Sequence, residues 1–121
     1  MFGFKRYKAA LNCLMAKHTF LYLDDGAQQT VVFRAVMILS KMGYSDPSDS
    51  FERMSDIEKY SIFALAMEEM GIPPKDCTKD AWQYLKRPIL KTHNADAQFR
   101  MAQNHLRKTY GIGVGFEGVG E

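Results

Sequence analysis

The 121-residue sequence contains only two cysteines and three histidines, and their spacing does not suit a metal site. His18, His93 and His105 lie far apart along the chain, and Cys13 is distant in sequence from Cys77. This scarcity argues against a zinc-binding motif and against a disulfide-based scaffold. We therefore predict no bound metal or cofactor, and two buried, reduced thiols.

Motifs of catalysis and of phosphate binding are also lacking. The glycine-rich stretch at residues 111–120 has no helical sequence after it, whereas a phosphate-binding loop must open a helix. The adjacent acids Asp24-Asp25 and Glu68-Glu69 are typical of a turn and of a solvated helix face. The sequence therefore predicts a protein that acts by binding and is not an enzyme, with an enzyme lacking a local motif as an alternative.

No run of apolar residues reaches the roughly 20 that a membrane-spanning helix needs. Even the most apolar segment, residues 31–42, contains the charged residues Arg34 and Lys41. Near the N-terminus, Asn12 and Lys17 interrupt what would have to be the apolar centre of a secretion signal. We therefore expect a cytoplasmic protein.

The sequence does contain enough apolar material for one core. Hydrophobic residues make up 46% and charged residues 25% of the chain, which is the composition of a globular protein rather than a disordered one. The length is that of one ordinary domain. We predict a single helical domain over residues 1–110, followed by a glycine-rich tail over residues 111–121.

Three glycines, each followed by an apolar residue, mark the ends of helical patterns. Glycine adopts the left-handed conformation that ends a helix, and the next apolar side chain can fold back on the last turn. The three positions are Gly43, Gly71 and Gly111. Working back from them predicts helices over residues 27–42, 56–70 and 95–110.

Other signals predict where helices begin. Ser55 followed by Glu58 is a capping box at the start of the helix over residues 56–70. Asp46-Pro47 is typical of a cap and a first-turn proline, and predicts a short helical turn over residues 47–54. Apolar spacing predicts a basic surface helix over residues 4–20 and a short helix over residues 78–86. The fold class is an all-α bundle of four or five helices, with residues 27–42 as its central helix.

Residues 19–34 allow a second interpretation. Asp25-Gly26 lies between two apolar runs, which is a strong hairpin signal and would give an α+β fold with a small hairpin. The apolar residues do not alternate, however, and residues 34–42 continue as a helix. We therefore prefer the all-α fold.

The positive charges of the chain are concentrated towards its two ends. Residues 1–18 carry four basic and no acidic side chains, and residues 81–110 carry six basic and one acidic, whereas residues 19–80 carry eleven acidic side chains. This pattern predicts a basic face on the terminal helices that could contact phosphates. The residues of this face are Lys5, Arg6, Lys8, Arg87, Lys91, Arg100, Arg107 and Lys108.

The tail alternates glycine with apolar residues, which is typical neither of a helix nor of a flexible linker. Such a segment is either mobile or docked as an extended strand on this molecule or a neighbour. We prefer docking, because three regularly spaced apolar side chains would otherwise be exposed. These are Ile112, Val114 and Phe116.

These features together predict a small intracellular protein-interaction or regulatory module. A protein partner or self-association is expected, and a membrane surface is not. The alternative is a nucleic-acid-binding protein that uses its basic first and last helices. We expect any such nucleic-acid binding to be weak, because the acidic middle of the chain opposes it.

Overall fold

The computed structural model describes residues 2–77 and 96–116. These ranges form helices and no β-sheet, which confirms the prediction of an all-α bundle. The helices are α1 (Phe2–Leu21), α2 (Asp25–Lys41), α3 (Pro47–Arg53), α4 (Asp56–Glu69) and α5 (Asp96–Tyr110). None of the helices found there has the length and apolar character needed to cross a membrane. The short helix predicted over residues 78–86 lies outside the described ranges.

The alternative hairpin near residues 19–34 is wrong, because the Asp-Gly pair begins a helix. Asp24 is the N-cap of α2, and its Oδ1 accepts a hydrogen bond from the Ala27 N–H at 2.7 Å. Asp25 then lies in the first turn, where a carboxylate is stabilised by the helix dipole. A capped helix start therefore outweighs the hairpin tendency of Asp25-Gly26.

The other helix starts form as the sequence predicts. Ser55 Oγ accepts a hydrogen bond from the Glu58 N–H at 3.3 Å and donates to Glu58 Oε1 at 3.1 Å. Asp46 Oδ1 accepts from the Asp49 N–H at 3.2 Å, with Pro47 as the first residue of α3. These caps fix the N-termini of α3 and α4 close to the predicted positions.

Glycines in the left-handed conformation end α2, α4 and α5. The values of φ are +97° at Gly43, +72° at Gly71 and +71° at Gly111. The chain then folds back on the last turn of the helix. The N–H of Tyr44 donates a hydrogen bond to the Leu39 carbonyl at 3.2 Å, and the N–H of Ile72 donates one to the Met67 carbonyl at 3.0 Å. These bonds satisfy carbonyl groups of the last turn and confirm the three predicted helix ends.

The central position predicted for residues 27–42 is wrong, because only four residues of α2 are buried, whereas α1 is buried over seven consecutive residues. α1 lies against α4 and α5, whereas α2 lies against α3 and α4. Every residue from 10 to 16 of α1 is buried, including the small side chains Ala10 and Ala16. Small residues allow neighbouring helices to approach closely, so α1 is not the surface helix that its lysines suggest.

The core consists of two clusters. The first joins α1 to α5 and to the segment after α5, and the second joins α2, α3 and α4 with Ala16 of α1. The largest fully buried side chains of the first are Phe99, Leu14, Met15 and Leu106, and those of the second are Leu39, Ile62, Met67 and Val31. α1 and α4 contribute to both clusters and therefore connect them.

Residues 111–116, which we call the C-terminal segment, pack on the first cluster. Ile112 and Phe116 are buried, and Val114 is half-buried against the same cluster. Lys17 of α1 donates a hydrogen bond from Nζ to the Gly115 carbonyl at 2.6 Å. The Lys17 ammonium also lies 4.4 Å from the centre of the Phe116 ring, which adds a cation–π contact.

Candidate functional site

Large apolar side chains are exposed on α2. Phe33 leaves 67% of its surface exposed and Met37 leaves 37%, and Met42, the C-cap residue, leaves 50%. Large exposed apolar side chains that lie next to each other on a helix are candidates for an interaction site. α2 is therefore a candidate interaction site.

The exposed residues of α2 include five at intervals of four, which we call the α2 stripe. Residues four apart are neighbours on a helix surface, so the stripe is continuous, with its ends about 24 Å apart along the axis. Its members are Asp25, Gln29, Phe33, Met37 and Lys41. The centre of the stripe is apolar, and its two ends carry opposite charges.

The other side of α2 is buried in the second cluster. Val31, Ala35 and Leu39 are fully enclosed, and Ile38 is nearly so. A helix that is apolar on all sides is usually surrounded by other elements. Within residues 2–77 and 96–116, α2 packs only against α3 and α4 to a substantial extent, so its stripe remains open to a partner.

Two grooves flank the stripe. The groove near the start of α2 has a volume of about 450 Å³ and is lined by Phe20, Asp25, Gln28, Gln29 and Val32. The groove between α2 and α4 has a volume of about 320 Å³ and is lined by Ile38, Leu65, Glu68 and Glu69. Side chains of a partner that covers Phe33 could enter either groove.

An ion pair links α2 to α4 beside the second groove. Arg34 Nη1 lies 3.6 Å from Glu69 Oε1, and both side chains are about two-fifths exposed. Such an exposed pair contributes little to stability. It gives the groove a polar rim around an apolar floor, as at the edge of many protein interfaces.

The predicted basic face is only partly within the described structure. Arg100, Arg107 and Lys108 are exposed on one side of α5, with Asn104 between them. Lys8 is half-buried on α1, the helix against which α5 packs. The side chains of Lys5 and Arg6, and all of Arg87 and Lys91, lie outside the described part of the chain. The structure thus brings together three of the eight predicted residues on α5.

The thiol of Cys13 is buried and held in the core. Its Sγ donates a hydrogen bond to the Ile57 carbonyl at 3.3 Å. Burial raises the pKa of this thiol from 9.0 to about 12, against smaller opposing effects of Ser61 and Lys17. Cys13 therefore stays protonated and unreactive at neutral pH.

A polar network lies at the end of α1. His18 Nε2 lies 3.1 Å from Asp76 Oδ2. The centres of the His18 and Tyr22 rings are 5.1 Å apart, and the two rings pack in an edge-to-face arrangement. Thr19 Oγ1 accepts a hydrogen bond from the Lys75 N–H at 3.0 Å. These contacts attach the loop after α4 to α1.

Across the described ranges, no group of three or more His, Cys, Asp or Glu residues is arranged to hold a metal ion.

Asn12 is a buried polar residue of α1 with an unusual environment. Its side chain is 4% exposed, and within the described part of the protein neither Oδ1 nor Nδ2 has a hydrogen-bond partner. An unpaired buried amide costs stability. Asn12 therefore lowers the stability of the packing around α1.

Nothing in the sequence pattern marks Phe33 and Met37 as surface residues, because the apolar character of residues 27–42 predicts a central helix, and such a helix is normally enclosed. The apolar composition of α2 is the feature that could have revealed this exposed surface, because α2 has more apolar surface than one neighbouring layer of helices can cover.

A comparison with protein-family models, with curated proteins and with solved structures finds no match to this chain.

Proposed function

We propose that this protein is a small intracellular protein-interaction module that binds its partner through the α2 stripe. The observation that carries this proposal is the exposure of Phe33 and Met37 in the middle of α2. Aromatic and methionine side chains are enriched in the buried centres of protein interfaces. Polar and charged residues at both ends of the stripe would form the rim.

Contact of the apolar centre of the α2 stripe with a partner is more favourable in free energy than its contact with water. Covering apolar surface contributes about 25 cal/mol for each Å² removed from water, so Phe33 is the largest single source of affinity on the stripe. Met37 lies one turn further along, and its flexible side chain adapts to partners of different shape. Binding, rather than catalysis, is thus the activity that this surface supports.

An intracellular location is part of the proposal. Cys13 is buried and forms no disulfide, and reduced thiols of this kind persist in reducing compartments. A stable fold without disulfides is consistent with synthesis and action in the cytoplasm.

Replacing Phe33 with glutamate should remove partner binding. The variant F33E places a charge at the centre of the stripe, where desolvation would penalise the complex. The wild-type protein would be used to capture proteins from a lysate of its source cells, and each captured protein would be purified and titrated again. We expect affinity to fall at least about tenfold, the loss typical of a residue at an interface centre.

The matched control is M101E, because Met101 of α5 is also a large exposed apolar residue, with 57% of its surface exposed. M101E should bind as the wild type does. If purified partners bind F33E and the wild type equally, or if no protein binds through Phe33, including this protein itself, the proposal is wrong.

A second candidate function is nucleic-acid binding through α5. The supporting observation is that Arg100, Arg107 and Lys108 are exposed on one side of a helix whose sequence contains no acidic residue after Asp96. Lysine and arginine that contact phosphates release bound counterions, which gives binding a steep dependence on salt. The acidic middle of the chain limits this to weak association.

Replacing Arg107 and Lys108 with glutamine should flatten the salt dependence of that association. Each lost phosphate contact lowers the slope of log affinity against log salt by about 0.9 on duplex DNA, so R107Q/K108Q should lower it by nearly two. Fluorescence anisotropy with a labelled duplex at several salt concentrations measures the slope. An unchanged slope would exclude this face, and F33E is the control that should leave it unaltered.

A further inference from the structure

We propose that the partner of the α2 stripe is a second copy of this chain, bound with its α2 antiparallel about a two-fold axis at Phe33. This inference rests on the proposed function and names the partner of the same surface. It follows from the symmetry of the stripe. Gln29 and Met37 lie equally far from Phe33 in sequence, and so do Asp25 and Lys41.

Antiparallel pairing about Phe33 places opposite charges together at both ends. Asp25 of one copy then approaches Lys41 of the other, and the same contact is repeated by the two-fold axis. Parallel pairing would instead bring Asp25 towards Asp25 and Lys41 towards Lys41, which is repulsive at both ends. The charges of the stripe are therefore complementary to the stripe itself, but only in the antiparallel direction.

The geometry of helix packing accommodates this contact. Residues at intervals of four form a ridge, and two such ridges interdigitate when helices cross at about −50°. The two Phe33 rings would meet at the axis, with Met37 of each copy beside Gln29 of the other. The charged ends diverge from the contact, but the long side chain of Lys41 can span that separation.

The expected dimer is weak. A stable interface usually buries about 800 Å² on each partner, and one helix face supplies less than that. We therefore expect a monomer–dimer equilibrium that depends on protein concentration, rather than a permanent dimer. Grooves on both sides of the stripe leave room for side chains of the second copy to add contacts.

Sedimentation velocity of the full chain at low ionic strength tests the proposal. The wild type should shift from monomer to dimer with increasing concentration, F33E should remain monomeric, and M101E should behave as the wild type. A wild type that stays monomeric, or an F33E that still dimerises, overturns the proposal. Capture of a different protein through Phe33 by a monomeric wild type would leave the proposed function standing and exclude self-association.

Charge reversal tests the direction of pairing. K41E should weaken dimerisation about fivefold, because an exposed ion pair is lost at each end and replaced by repulsion. The double variant D25K/K41E should restore it, because opposite charges meet again. A K41E variant that dimerises like the wild type, or a double variant that is not restored while circular dichroism shows unchanged helix content, overturns the antiparallel arrangement.

Discussion

Replacing Phe116 with alanine should lower the free energy of unfolding by about 3 kcal/mol, the usual cost of removing a buried phenylalanine. Phe116 is 5% exposed, and its ring centre lies 5.7 Å from those of both Phe99 and Tyr60. The substitution also removes the contact with Lys17. The decrease in the free energy of unfolding cannot exceed the free energy with which the C-terminal segment packs on the first cluster. A larger cost would be avoided because the segment would detach from the cluster.

Urea unfolding followed by circular dichroism measures this effect. V114A is the control, because Val114 is only half-buried and loses a smaller side-chain volume. We expect V114A to cost less than about 1 kcal/mol. Equal midpoints for F116A and the wild type would show that the C-terminal segment does not contribute to the folded state in solution.

Alkaline pH should destabilise the protein through Cys13. Burial raises the pKa of this thiol from 9.0 to about 12 in the folded state. Above about pH 9 the unfolded chain therefore releases a proton that the folded chain retains, which favours unfolding. Cys13 contributes fully to stability below pH 9, and this contribution falls by about 1.4 kcal/mol for each pH unit up to about pH 12.

Comparison with C13A isolates this contribution. Between pH 8 and pH 10.5 the wild type should lose about 2 kcal/mol more than C13A, as measured by urea unfolding at both pH values. Burial, with Asp56 and Cys13, also raises the pKa of Tyr60, which acts in the same direction. Y60F therefore serves as a second control. Equal losses in the wild type and C13A would mean that the thiol is not buried in solution.

The positions of helix starts and ends could be predicted from the sequence because they are local. Asp46 and Ser55 bond to backbone groups three residues away, and Gly71 needs only its own left-handed backbone. Such signals involve one turn of chain and do not depend on the rest of the fold. The all-α class follows from them.

The arrangement of the helices could not be predicted in the same way, because it depends on residues far apart in sequence. Lys17 gives α1 the appearance of a solvated helix, yet its Nζ bonds to Gly115, 98 residues later. Conversely, Phe33 lies in a segment whose apolar content predicts a central helix, although α2 has neighbours on one side only in the described structure. Local apolar content shows how much surface a helix can bury but does not show which neighbours will cover it.

The contact between α1 and the C-terminal segment has a consequence for the order of events during synthesis. A ribosome makes α1 before Phe99, Leu106, Ile112 and Phe116, which cover part of its buried side and come more than 70 residues later in the chain. The part of α1 that packs against them therefore stays uncovered while the intervening residues are made. A nascent chain in this state is prone to aggregation, so its yield in the cell should depend on chaperones that shield such surfaces.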